Sequence, residues 1–131
     1  VRERMEEYRK NPDIAIPWQE ARKQIKFKKK WAVNFEVIIL PIALQDVQDA
    51  VDYYDEQTIG LGERFESELN AFVQTLEINP FFQNRYSAIR CLPLKKFPFM
   101  VHFTVEETKK QVVVHAVFHT SLHPKVWKAE R

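Results

Sequence analysis

The chain has 131 residues, with 20 Lys/Arg against 18 Asp/Glu for a formal net charge of +2, and ten Phe, four Tyr and three Trp. That length is enough for one domain with a real hydrophobic core, and the aromatic content frees that core from any need for cross-links. The single Cys91 excludes an internal disulfide and fits a reducing compartment. No apolar run approaches the roughly 20 residues that span a bilayer and no signal-peptide pattern opens the chain, so a cytoplasmic protein without a membrane partner is expected.

Charge is unevenly spread. Residues 1–33 carry ten Lys/Arg and five Asp/Glu, residues 34–79 one and ten, and residues 80–131 nine and three. An acidic middle therefore sits between two basic flanks, which makes a strongly dipolar molecule.

In chain order, "VRERMEEYRK" reads as a helix with Met5 and Tyr8 as its apolar edge. It opens at Val1 already in helical pattern, as the continuation of a longer sequence would. "NPD" at 11–13 breaks it, and "IPWQEARKQI" restarts a helix with Pro17 in its first turn, where the missing N–H costs nothing. "KFKKKW" at 26–31 is a basic connector. This first third holds too few apolar residues for a core of its own, so it is expected to lie on another surface or stay mobile. "NFEVIIL" at 34–40 alternates as a strand does and Pro41 ends it. Helices follow at about 42–57 and 61–78, each with an apolar stripe at spacings of three and four. Three strands near 85–92, 97–106 and 111–119 are rich in β-branched and aromatic residues, with "ETKK" at 107–110 as a hairpin link.

Both glycines of the chain, Gly60 and Gly62, fall between the two helices. A phosphate-cradling G-x-G-x-x-G loop needs a third glycine and a preceding strand. Here Phe65 stands in the third position and a helix precedes, so the pair reads as a helix–helix turn, Gly60 in a left-handed C′ position and Gly62 allowing close approach. The order β-α-α-β-β-β predicts an α+β fold, a helical hairpin packed on one face of a mostly antiparallel sheet, with an N-terminal helical and extended arm.

Strict alternation assigns Phe99, Val101, Phe103 and Val105 to the helix-facing side, with Val112, Val114, Ala116 and Phe118. Ser87, Ile89 and Cys91 join them. His102, His115, Val117 and His119 then point the other way with Tyr86 and Arg90, which gathers three of the four histidines on one open face. Either that face simply meets water or it is a functional surface. A zinc site at His115, His119 and His123 is not expected, because residues i and i+4 of a strand are about 13 Å apart, and no H-E-x-x-H or paired-cysteine motif is present.

Taken together, "ILPIALQDVQDAVDYYDEQTIGLGERFESELNAFVQTLEINPFF", "YSAIRCLPLKKFPFMVHF" and "VVVHAVFHTSLHPKVW" resemble RelE/ParE-type toxins of bacterial type II toxin–antitoxin modules. The D-x-x-x-A-x-x-Y-Y helix, the G-L-G-x-R-F helix start and the A-V-x-H ending carry the likeness. Residues 3–25, with E-Y-x-x-N-P-D-x-x-I-P-W-x-E, resemble the C-terminal tail of the small antitoxins encoded beside such toxins. The resemblance divides the chain into 1–31, an antitoxin-like tail and basic connector, and 32–131, a toxin domain. It implies no cofactor and no metal. It implies an antitoxin partner, in cis through residues 1–25 or in trans, with Ile14, Ile16 and Trp18 as anchors, and it leaves room for a homo-oligomer.

Two activities are implied. ParE-like members inhibit DNA gyrase without known chemistry, and the long even helices and the G-L-G-x-R-F start favour this side. RelE-like members cut mRNA on the ribosome. In that case Arg90 would clamp the phosphate, His119 would act as base or acid with His102 as its partner, and Lys95, Lys96, Tyr86 and His115 would hold RNA.

Overall fold

The computed structural model describes residues 1–18, 35–81, 85–86 and 88–120. The helical hairpin consists of α2 (Pro41–Gln57) and α3 (Leu61–Ile78). Pro41 opens α2, where its fixed φ suits the first helical position. Ala43, Val47, Ala50, Val51 and Tyr54 form its buried stripe, and Phe65, Leu69, Val73 and Leu76 form that of α3.

The two glycines have separate jobs. Gly60 is left-handed at φ 87°, but α2 is already capped by Thr58, so Gly60 serves as the N-cap of α3 rather than as the C′ residue of α2. Gly62 marks the closest approach of the helices. A Cβ there would lie 2.7 Å from both the Val51 carbonyl and Asp55 Oδ1, while its N–H donates to that same Oδ1 at 2.9 Å.

The sheet contains β1 (Ile16–Pro17), β2 (Glu36–Ile39), β3 (Arg85–Tyr86), β4 (Ile89–Pro93), β5 (Phe99–Glu106) and β6 (Gln111–His119). Their spatial order is β1-β2-β6-β5-β4-β3, with β2 and β6 parallel and every other pair antiparallel. This is the expected α+β arrangement. Aromatic rings seal the hairpin to the sheet. Tyr54 has its ring centroid 5.6 Å from Phe65 and 5.0 Å from Phe97, and Phe65 lies 5.1 Å from Phe99.

The N-terminal segment is folded onto this body at three places. α1 (Arg2–Lys10) covers the sheet face opposite the hairpin, where its Val1 and Met5 pack with Ile89 and Ala116. A 3₁₀ turn (Pro12–Ile14) leads to β1, which pairs Ile16 with Ile39 along the outer edge of β2. The Trp18 ring is buried in the main core and its Nε1–H donates to Asn70 Oδ1 of α3 at 3.1 Å. The connector at 26–31 lies outside the described residues.

Strict alternation fails in two strands. On β6, Ala116 is opposite His102 and Val114 is opposite Phe103, so His115 is an extra residue in the ladder. Such a bulge inverts the parity of everything beyond it. Val117 therefore packs in the main core and His119 lies on the hairpin side, with its ring 5.2 Å from Phe99. Ala116 and Phe118, expected on the hairpin side, pack with the α1 cluster. On β4, Arg90 is opposite Phe103 and therefore on the hairpin side, while Cys91, opposite His102, and Ile89 lie beneath α1. With both faces of the sheet covered, a run such as Ile89–Arg90–Cys91–Leu92 has no polar side to set its register.

Phe65 and Leu69 are 0% and 1% exposed. Replacing either with Ala is expected to cost about 2–5 kcal/mol, from lost burial plus the cavity left behind. Denaturant melts that shift by under roughly 0.5 kcal/mol would contradict that packing.

Candidate functional site

β2 ends at Ile39, opposite Val114, while β6 runs on to His119. Among the described residues, the outer edge of β6 past Val114 thus has no strand beside it, and backbone groups there find other partners. Two charged side chains provide them. Asp46 of α2 accepts the Val117 N–H at Oδ2, 3.1 Å, and Arg4 of α1 donates from its Nη1 atom to the His115 carbonyl at 2.9 Å. The same Nη1 pairs with Asp46 Oδ2 at 2.9 Å, with both side chains largely buried. The Arg4 guanidinium also stands 5.0 Å from the centroid of Phe118.

Next to this clamp lie two imidazoles. His102 and His115 point away from the hairpin, as expected, but that face is not open: α1 buries both completely. The Nε2 atom of His115 is 2.9 Å from Thr104 Oγ1, and its ring meets that of Tyr8 edge-on at 6.0 Å. Its Nδ1 has no hydrogen-bond partner among the described residues. The His102 ring packs 5.5 Å from Phe118. Burial, reinforced by Arg4, pushes the pKa of His102 down to about 4 and that of His115 down to about 3. Tyr8 is pushed up to about 12 by burial and by the negative charge of the nearby Glu106 carboxylate.

The remaining candidate residues do not converge on one point. Arg90 stacks 5.5 Å from the Phe81 ring at the hairpin side of the sheet. His119 shares a shallow cleft with Asp46, Asp49, Tyr53 and Phe99 at the far end of β6. Arg90 is opposite Phe103 and His119 opposite Phe99, so their backbones are two strands apart and four residues apart along β5. Those offsets are about 10 Å and 13 Å, too far for one scissile phosphate. His102 lies on the other face from both. Lys95 and Lys96 are exposed in the β4–β5 turn, where the Lys96 N–H donates to Glu68 Oε2 at 2.6 Å. Tyr86 pairs with Ile89 near the β3 edge of the sheet. Of the arm anchors, Trp18 is buried while Ile14 and Ile16 are half-buried, since β1 lies at the sheet's outer edge. His123 lies outside the described residues.

Sequence reading missed Arg4, Asp46 and Thr104. Asp46 is the first residue of the D-x-x-x-A-x-x-Y-Y motif, so its signal was present without a role attached. Arg4 gives no periodic signal, because its partners are 42 and 111 residues away.

No protein-family model matches the chain, and no curated protein does. Among solved structures, it is similar to a chain of the chromosomal ParDE TA system from P. aeruginosa. The two share 16% sequence identity over 67% of this chain and 98% of that one, with a TM-score of 0.59. The likeness establishes a shared fold. Among the described residues, no helix is long and apolar enough to cross a membrane.

Arg4→Ala is expected to lower stability by roughly 1–3 kcal/mol, the range for hydrogen bonds to a charged group. It should speed amide exchange in α1 while protection in α2 and α3 holds. Asp46→Asn keeps an acceptor for Val117 but loses the charge, and should loosen α1 in the same way. Unchanged exchange in α1 for both variants would show that the clamp does not hold the helix.

Proposed function

We propose that residues 32–131 are the toxin of a type II toxin–antitoxin module, and that residues 1–25 are an antitoxin-derived arm neutralising it in cis. The observation that carries this reading is the arm itself. It occupies a sheet face with α1, a sheet edge with β1 and the main core with Trp18, as a bound partner would. The fold shared with a chain of a ParDE system supports the same reading.

The activity that fits best is ParE-like inhibition of DNA gyrase by binding, in the cytoplasm and without a cofactor. RNA cleavage requires a base, a phosphate clamp and an acid around one bond. Arg90, His119 and His102 are spread over two faces and two ends of the sheet, which favours binding over chemistry. RelE-like cleavage of ribosome-bound mRNA is the alternative.

Expression of residues 32–131 is expected to arrest growth with DNA breaks and an SOS response, while the full chain is tolerated. Arrest by halted translation, abolished in a His119→Gln variant, would select the nuclease instead. Equal tolerance of the full chain and of a truncation that is soluble and helical by circular dichroism would reject the toxin reading.

A further inference from the structure

We propose that α1 is a proton-released latch: it stays on the sheet only while His102 and His115 are neutral, and protonating them frees the helix and uncovers the sheet face while the rest of the protein remains folded. This property belongs to the interface and does not depend on what the uncovered face binds.

The surroundings of the two imidazoles are hostile to a positive charge. From α1, His115 faces Arg4, Tyr8 and Arg9; from β5 it faces Thr104 and His102. His102 faces Phe118 on β6 and Cys91 on β4, with Arg4 above it. The nearby carboxylates are already engaged. Asp46 of α2 holds Arg4 and the Val117 N–H, and Glu106 of β5 lies close enough to Tyr8 to raise its pKa. The acids of α1, Glu3, Glu6 and Glu7, are exposed on its outer face. A proton on Nδ1 of His115 would therefore add a buried donor with no acceptor among the described residues, beside an arginine.

Opening relieves this locally. α1 buries only Met5 and Tyr8 within its own span, with Val1 just before it. The hairpin, the sheet and Trp18 form a main core to which α1 contributes Tyr8 alone. With the Arg4 clamp as a further tie, such a segment can open without global unfolding.

The direction with pH follows from linkage. With α1 closed, the imidazoles titrate at about 4 and about 3; once exposed to water they return to about 6.5. The open form thus binds more protons at every pH between those values. The closed form is fully favoured above about pH 6.5 and loses ground as pH falls below it. By pH 5 the opening equilibrium should rise about thirtyfold for each imidazole, and on the order of a thousandfold for both.

The test is ¹⁵N-resolved NMR of the full chain from pH 7.5 to 4.5, with a His102→Gln/His115→Gln double variant alongside. Amides of residues 2–10 are expected to move to unstructured positions as pH falls, while those of Phe65, Leu69 and Val101 stay put. The double variant should remain latched over the same range. Three results would overturn the proposal: α1 ordered at pH 4.5 in the natural sequence, α1 and the core lost together, or release at the same pH in the double variant. Should that variant not fold at pH 7.5, the imidazole C–H shifts of the natural protein decide the matter. A latched state whose histidines titrate at 6.5 or above sinks the latch, and depressed values with α1 released as they titrate uphold it.

Discussion

The arrangement depends on a mismatch in strand length. β2 stops at Ile39 and its parallel partner β6 does not, so part of a central strand is left without a neighbour. A buried strand edge is costly, because each unmet N–H or carbonyl loses water and gains nothing. Asp46 and Arg4 meet one such group each and then neutralise one another. One carboxylate from the hairpin and one guanidinium from α1 therefore stand in for a missing strand. They also tie the three parts of the molecule, hairpin, sheet and arm, at a single point.

The bulge at His115 belongs to the same solution. The extra residue falls just after β6 loses its β2 neighbour, and a strand relieved of one partner can bend where a fully paired one cannot. It also sorts the two halves of the strand. Val112 and Val114 face the hairpin before it, and Val117 and His119 do so after it. His115 itself is left facing α1, its side chain spent on Thr104 and Tyr8.

Much of the architecture was legible because the signals were local. Apolar residues three and four apart gave both helices of the hairpin to within a residue, and Pro41, the glycine pair and "ETKK" punctuated the chain where elements end. The candidate site was much less legible. Alternation is reliable only when one face is polar and the ladder is regular, and β6 breaks the second condition while β4 breaks the first. Arg90 and His119 were both assigned to the wrong side of the sheet for those reasons. His102 and His115 were placed on the right side but pictured as exposed, because whether a distant nine-residue helix lies over a face is a long-range fact that no window of sequence contains. The anchoring role of Trp18 was suggested by composition alone; its partner Asn70 was not.

The placement of Pro17 has a consequence for how copies of this protein meet. β1 covers Ile38 and Ile39 on the outer edge of β2, the apolar end of a strand whose sequence is Glu-Val-Ile-Ile. The new edge presented by β1 is two residues long, and one of them has no N–H to offer. Among the described residues the sheet ends at β1 on that side. At the opposite side β3 is equally short. The arm thus acts as a chain terminator for intermolecular pairing. A body stripped of it would bare Ile38 and Ile39 on that one edge and offer them to the same edge of a second copy, so a dipeptide at the margin bears on whether two copies pair.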